Sequence, residues 1–162
     1  MRQRSWRRYP RGTLRGTAQL GGSFGRCSGE LTELSVGGAF IAGVPPLRAA
    51  SHVRAHLLLP GQIAPIEVRA RVLYVRPENF FSREGIGISF EDLGADEAAR
   101  VQRAVERSDL LYMRLLFHLQ SGDATREEID ETCLEAGVPV GVPKDELYDR
   151  ISIALRRYRG EY

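Results

Sequence analysis

Seven arginines, Arg2, Arg4, Arg7, Arg8, Arg11, Arg15 and Arg26, precede the first acidic residue, Glu30. The whole 162-residue chain carries a formal net charge of only +2, so everything from Glu30 onward is net acidic. A one-signed N-terminal block of this kind points to an anionic partner. The guanidinium fork suits phosphate, and its plane stacks on bases. Trp6 and Tyr9, interleaved among the arginines, could stack on a base or cover the anchor point of the segment itself. Catalysis lacks its usual residues. The serines stand in no nucleophile-elbow context, and no paired carboxylates suggest acid–base work. His52, His56 and His118 have no cysteine or carboxylate at metal-ligand spacing. Cys27 and Cys133 are far apart without CxxC spacing and read as free thiols in a reducing compartment, which makes the cytoplasm the expected location. The chain therefore reads as a binding protein, with no catalytic residues, no metal and no cofactor.

The elements that must position these residues are legible in the hydrophobic pattern. Residues 1–12 show no periodicity, and Pro10 disfavours helix at Tyr9, so they read as an extended arm. From Thr13 to about Phe90, glycines punctuate short apolar stretches. The clearest strand is Ile66 to Val75, with Ile66, Val68, Ala70, Val72 and Tyr74 on one face and Glu67, Arg69 and Arg71 on the other. Val53, Ala55, Leu57 and Leu59 form a second strand that ends at the Pro60-Gly61 turn. A third alternates Ile86, Ile88 and Phe90 with Gly87 and Ser89, and its glycine-lined face suggests close backbone approach. Thr13–Leu20, Ser28–Leu34 and Ala39–Ala42 complete about six strands, the signature of a small closed barrel or sandwich.

Beyond Gly94 the period becomes helical. Ala98, Val101, Val105, Leu111, Leu115 and Leu119 recur at helical intervals, with a register slip between Val105 and Leu111. Ser121-Gly122 ends this helix. Thr125 with Glu128 three residues later reads as a capping box that opens a second helix, ending near Gly137. A linker through Pro143 leads to a third helix from Lys144 to about Arg159, striped by Leu147, Ile151, Leu155 and Tyr158. Its acidic start and basic end complement the helix dipole. No run is long and apolar enough to span a membrane, and no apolar leader follows the N-terminal arginines.

Three segments then fall into a pattern: Arg7-Arg8-Tyr9-Pro10-Arg11, Glu33-Leu34-Ser35-Val36-Gly37-Gly38, and Gly85-Ile86-Gly87-Ile88-Ser89-Phe90. Together they resemble the PilZ family of cyclic di-GMP receptors, with its RxxxR motif followed by [D/N]xSxxG and a glycine-rich closing strand. The resemblance covers roughly residues 6–107. It implies a mainly β fold with α, a six-stranded antiparallel barrel followed by two or three C-terminal helices. It also implies a non-enzymatic bacterial signalling protein whose ligand is cyclic di-GMP. On this pattern Arg7 and Arg11 are the principal clamps and Arg8 is secondary. Ser35, Gly37 and Gly38 shape a floor that lets the ligand approach the backbone, and the arm orders on binding. The chemistry agrees, because arginine bonds the O6/N7 edge of guanine bidentately as well as phosphate. Glu33 departs from the pattern. It keeps the acceptor of Asp or Asn but is one methylene longer, and a badly met contact there would cost about 1–3 kcal/mol.

The expected organisation is an arm over residues 1–12, a barrel with the start of its closing helix over 13–107, and a helical extension over 108–162 that contacts a protein partner. Glu33 favours an alternative in which the chain is a degenerate adaptor that binds no nucleotide and acts through protein contacts. A third possibility, an arginine-rich nucleic-acid binder, predicts steep salt dependence and little base preference. The acidic remainder of the chain opposes it, so no specific nucleic-acid partner is expected.

Overall fold

The computed structural model of the chain describes residues 12–80 and 82–159, with side chains through Arg156. Arg7, Arg8 and Arg11 lie outside the described residues, as does the side chain of Tyr158. The strands are β1 (Gly12–Gly22), β2 (Gly25–Ser35), β3 (Gly38–Ala42), β4 (His52–Leu58), β5 (Ile66–Arg76) and β6 (Gly85–Phe90). They are followed by helices α1 (Ala95–Ser121), α2 (Arg126–Ala136) and α3 (Lys144–Arg159). The strands close in the order β1-β2-β3-β6-β5-β4, every pair antiparallel. The expected fold class, a six-stranded antiparallel barrel with C-terminal helices, is the one observed.

Alternation builds the barrel. The inward residues of β5 (Ile66, Val68, Ala70 and Val72) are buried while Glu67, Arg69 and Arg71 face solvent. They meet Leu31, Ile41, Ala55, Leu57, Ile86 and Ile88 in one core. Each Val, Leu or Ile among them contributes about 1.5–3 kcal/mol when fully buried. At the exit of β6, Asp92 locks onto β5. Its Oδ1 accepts from the Arg69 backbone N–H at 2.7 Å and its Oδ2 from Arg69 Nε at 2.8 Å. Hydrogen bonds from Arg69 hold the Asp92 carboxyl below the usual carboxylate range.

One strand assignment is corrected. The pairing of β5 with β6 shifts between Val72 and Tyr74. This irregularity inserts Leu73 and turns the rest of the strand over, because side-chain direction has a period of two. Tyr74 therefore leaves the inner face and lies outside the barrel over Gly87, where an added Cβ would stand 2.3 Å from its ring. The glycine face of β6 is thus used in two ways. Gly87 makes room for an aromatic ring, whereas a Cβ at Gly85 would meet the Ile41 carbonyl oxygen of β3 at 2.0 Å.

The 27-residue helix α1 is about 40 Å long and serves two cores. Its first half puts Val101 and Val105 into the barrel cluster. Its second half joins Leu111, Tyr112 and Leu115 to Ile129, Cys133 and Ala136 of α2 and to Leu147, Ile151 and Leu155 of α3. The register slip expected after Val105 does not exist. Ser108 and Tyr112 are buried and carry the stripe across the gap, and both are polar because their hydroxyls have partners in the barrel. The capping box at Thr125 forms as expected: Glu128 N–H donates to Thr125 Oγ1 at 3.2 Å and Thr125 N–H to Glu128 Oε2 at 2.8 Å. No helix among the described residues is long and apolar enough to cross a membrane.

Candidate functional site

The segment from Glu33 to Gly38 is the end of β2, a two-residue turn and the start of β3. Ser35 builds the turn: its buried hydroxyl accepts from Gly37 N–H at 3.3 Å and donates to the Gly38 carbonyl at 3.4 Å. Its oxygen is thus engaged within the turn. Gly38 is required by strand spacing, since a Cβ there would lie 2.1 Å from the Ile88 carbonyl oxygen. Gly12 pairs with Leu34 and Thr13 with Glu33, so the chain enters the barrel immediately beside this turn. Arg11 is therefore covalently one residue away from the partner of Leu34, although its own placement lies outside the described residues.

Glu33 does not stand alone. Its Oε2 accepts from Arg76 Nη1 at 2.7 Å, and the two side chains are only 15% and 24% exposed. The Arg76 guanidinium lies over the Phe40 ring at 3.7 Å from its centroid. Phe40 in turn stacks on Tyr74, with centroids 6.5 Å apart and planes 21° apart. Because Glu33 pairs with Phe40 and Phe40 with Gly87, these residues form a row across the outside of the barrel. Glu33, Gly38, Phe40, Tyr74 and Gly87 enclose a cavity of about 20 Å³, room for a single water. A wider concavity, about 680 Å³, lies elsewhere, at the β1–β2 hairpin against Arg54 and His56. It is an open trough, and among the described residues Glu33, Ser35, Gly37 and Gly38 do not line it.

Phe40, Tyr74 and Arg76 are the residues of this face that sequence reasoning missed. Strict alternation put Tyr74 inside, and Arg76 fell beyond the expected strand end. The available signal was the Tyr74-Val75-Arg76 spacing, which puts an aromatic and a cation on one strand face.

Among the described residues no group of His, Cys, Asp and Glu could hold a metal ion. Cys27 is half-buried and Cys133 buried, and both are free thiols. Burial, with Asp130 nearby, pushes the Cys133 thiol up to about 11.

No curated protein matches the sequence. Solved structures match part of the chain. The inhibitor of motility MotI/DgrA of Bacillus subtilis is 16% identical with a TM-score of 0.54, covering 65% of this chain and 52% of its own. The PilZ domain of YcgR from Escherichia coli, solved with c-di-GMP, is 16% identical with a TM-score of 0.51, covering 64% of this chain and 91% of that one. The K. pneumonia MrkH–c-di-GMP complex is 20% identical with a TM-score of 0.56, covering 68% and 55%. The match thus spans about half the length of MotI and of MrkH. At these identities the likeness is one of fold. The sequence itself matches the PilZ domain over residues 5–107, most of its length, and the barrel, its turn and the first half of α1 fall in that span: the chain belongs to the PilZ domain family.

Proposed function

We propose that the chain is a non-enzymatic cyclic di-GMP receptor of the bacterial cytoplasm that passes ligand occupancy to a protein partner through its helices. The carrying observation is the entry point of β1. Gly12, the residue that follows the arginine-bearing segment in the chain, pairs with Leu34 beside the Glu33–Gly38 turn. In this reading Arg7 and Arg11, with Arg8 beside them, clamp the ligand from the arm, and Glu33, Ser35, Gly37 and Gly38 form the floor. The root of the arm is also tied to the helices. Thr13 Oγ1 hydrogen-bonds Tyr112 Oη and donates to the Ala136 carbonyl at 3.3 Å, while the Thr13 carbonyl accepts from Ser108 Oγ. A pull on the arm therefore reaches α1 and α2 through one residue. On the far part of α1, Leu110, Met113 and Phe117 are 66%, 47% and 66% exposed at helical spacing, a surface suited to a protein contact.

Calorimetric titration with cyclic di-GMP at physiological salt, with Arg11→Ala as control, tests the receptor. Micromolar or tighter binding that the substitution abolishes is expected. A second reading, an adaptor that binds no nucleotide, is favoured by the small cavity and by the engagement of Glu33 with Arg76. Absence of both heat and thermal shift would sink the receptor reading and leave the helices as the place to look for function.

A further inference from the structure

Between β4 and β5 the chain turns through Pro60, Gly61 and Gln62 and then presents Ile63, which is 99% exposed. A lone aliphatic on a surface needs no explanation. This one is fixed from both sides. Arg100 of α1 donates from Nε to Gln62 Oε1 at 2.9 Å and from Nη2 to the Ala64 carbonyl, so one guanidinium grips the residues before and after Ile63. Gln62 N–H also donates to the Leu59 carbonyl at 3.1 Å, and Gly61 supplies the left-handed turn at a φ of 74°. Pro60 and Pro65 restrict the backbone at the two ends of the loop. Beside this projection lies a hollow of about 130 Å³ between the loop, β1, α1 and α2, with Leu14, Pro60, Ala104 and Leu111 among its lining. The hydroxyls of its floor are already satisfied. Thr13 Oγ1 bonds Tyr112 Oη and the Ala136 carbonyl, and Ser108 Oγ donates to the Thr13 carbonyl. An entering apolar side chain therefore strands no polar group there.

We propose that this face is a contact between two copies of the chain, with Ile63 of each copy seated in the hollow of the other. A closed pair related by a two-fold axis needs a self-complementary surface. Projection and hollow stand side by side here, since Gln62, the neighbour of Ile63, lines the hollow. A different protein would have to bring both a pocket for Ile63 and a side chain for the hollow, whereas a second copy brings both. The size agrees. A cavity of about 150 Å³ takes benzene, so a hollow of about 130 Å³ suits one branched aliphatic side chain. The charges agree as well. The α1 wall carries Arg103 and Arg107 and the α2 wall Glu135, so a two-fold rotation brings the cations of one copy towards the anion of the other. Within one copy Arg107 Nη2 and Glu135 Oε2 stand 3.6 Å apart and both side chains are exposed, a pair loose enough to be shared across the contact. The loop enters this contact already ordered by Arg100, which removes part of the entropic cost of association. The inference goes beyond the receptor reading and requires no nucleotide.

Sedimentation velocity of the full chain without nucleotide, over a series of concentrations, tests the contact on the unaltered protein, Ile63→Ser and Ala104→Leu. The first substitution removes the projection and the second fills the hollow. A concentration-dependent dimer is expected for the unaltered protein. Ile63 is buried twice in each dimer, so Ile63→Ser should weaken association on the order of a hundredfold. Ala104→Leu should weaken it comparably. An equal mixture of the two variants should recover part of the dimer, because Ile63 of the one still meets the open hollow of the other. A monomer at every concentration up to the millimolar range would overturn the proposal. So would a dimer of unchanged affinity in Ile63→Ser, or a mixture no more associated than its separate components. Circular dichroism checks that each variant is folded. Should Ala104→Leu unfold, Ile63→Ser decides alone, because it alters a fully exposed position.

Discussion

Replacing Glu33 by aspartate would restore the residue type that the family motif carries, yet the structure predicts a loss of stability. The carboxylate now accepts from Arg76 Nη1 at 2.7 Å in a setting where both side chains are mostly buried. Removing one methylene retracts it by about 1.5 Å, so the contact opens to about 4 Å, beyond hydrogen-bonding range. At an effective dielectric near 20, that separation forfeits about 2 kcal/mol of attraction. The usual worth of a charge-assisted hydrogen bond, about 1.5–3 kcal/mol, gives the same answer. Allowing for relaxation of the Arg76 stem, Glu33→Asp should cost about 1–2 kcal/mol, or about 3–6 °C in Tm for a chain of this size. Thermal unfolding followed by circular dichroism measures it, together with the midpoint in urea. The same substitution in an Arg76→Leu background isolates the pair and should there cost almost nothing. An equal loss in both backgrounds, or a rise in Tm for Glu33→Asp alone, would refute the ion pair as the cause.

Other outcomes follow from contacts already described. Tyr112→Phe removes the hydroxyl that bonds Thr13 and should lower stability by about 1 kcal/mol, roughly 2–4 °C in Tm, with helix content unchanged by circular dichroism. Gly38→Ala drives a Cβ to 2.1 Å from the Ile88 carbonyl oxygen, and only separation of β3 from β6 relieves it. It should destabilise by more than the roughly 1–3 kcal/mol typical of overpacking, read from denaturant unfolding. Of the two thiols, half-buried Cys27 should react with a thiol reagent at mildly alkaline pH in the native protein. Buried Cys133, pushed up to about 11, should react only as the protein unfolds, which mass spectrometry of timed samples distinguishes.

The strands were legible because alternation is a local signal: Ile66 to Val72 need no knowledge of their neighbours to declare an inside and an outside. The irregularity at Leu73 was not, because it exists only in the pairing of β5 with β6, and one extra residue reverses everything after it. Ser108 and Tyr112 interrupted an apolar stripe for the same kind of reason. Their hydroxyls are satisfied by Thr13, almost a hundred positions earlier, so a polar residue at a core position looked like a slip in register. The Glu33–Ser35–Gly38 motif could be read directly, since its turn is built by neighbours in the chain. The partner of Glu33 could not, because Arg76 reaches it only through closure of the barrel.

That α1 contributes to both clusters also bears on how the protein comes apart. Val101 and Val105 belong to the barrel core, while Leu111, Tyr112 and Leu115 belong to the helical one, on a single uninterrupted helix. Fraying of the helix into either cluster strips side chains from the other within two turns. The hydroxyl contacts at Thr13 bind the start of the first strand to the same stretch. The barrel and its helices consequently share one cooperative unit, and amides of β1 and of the middle of α1 should exchange with solvent at a common, global rate.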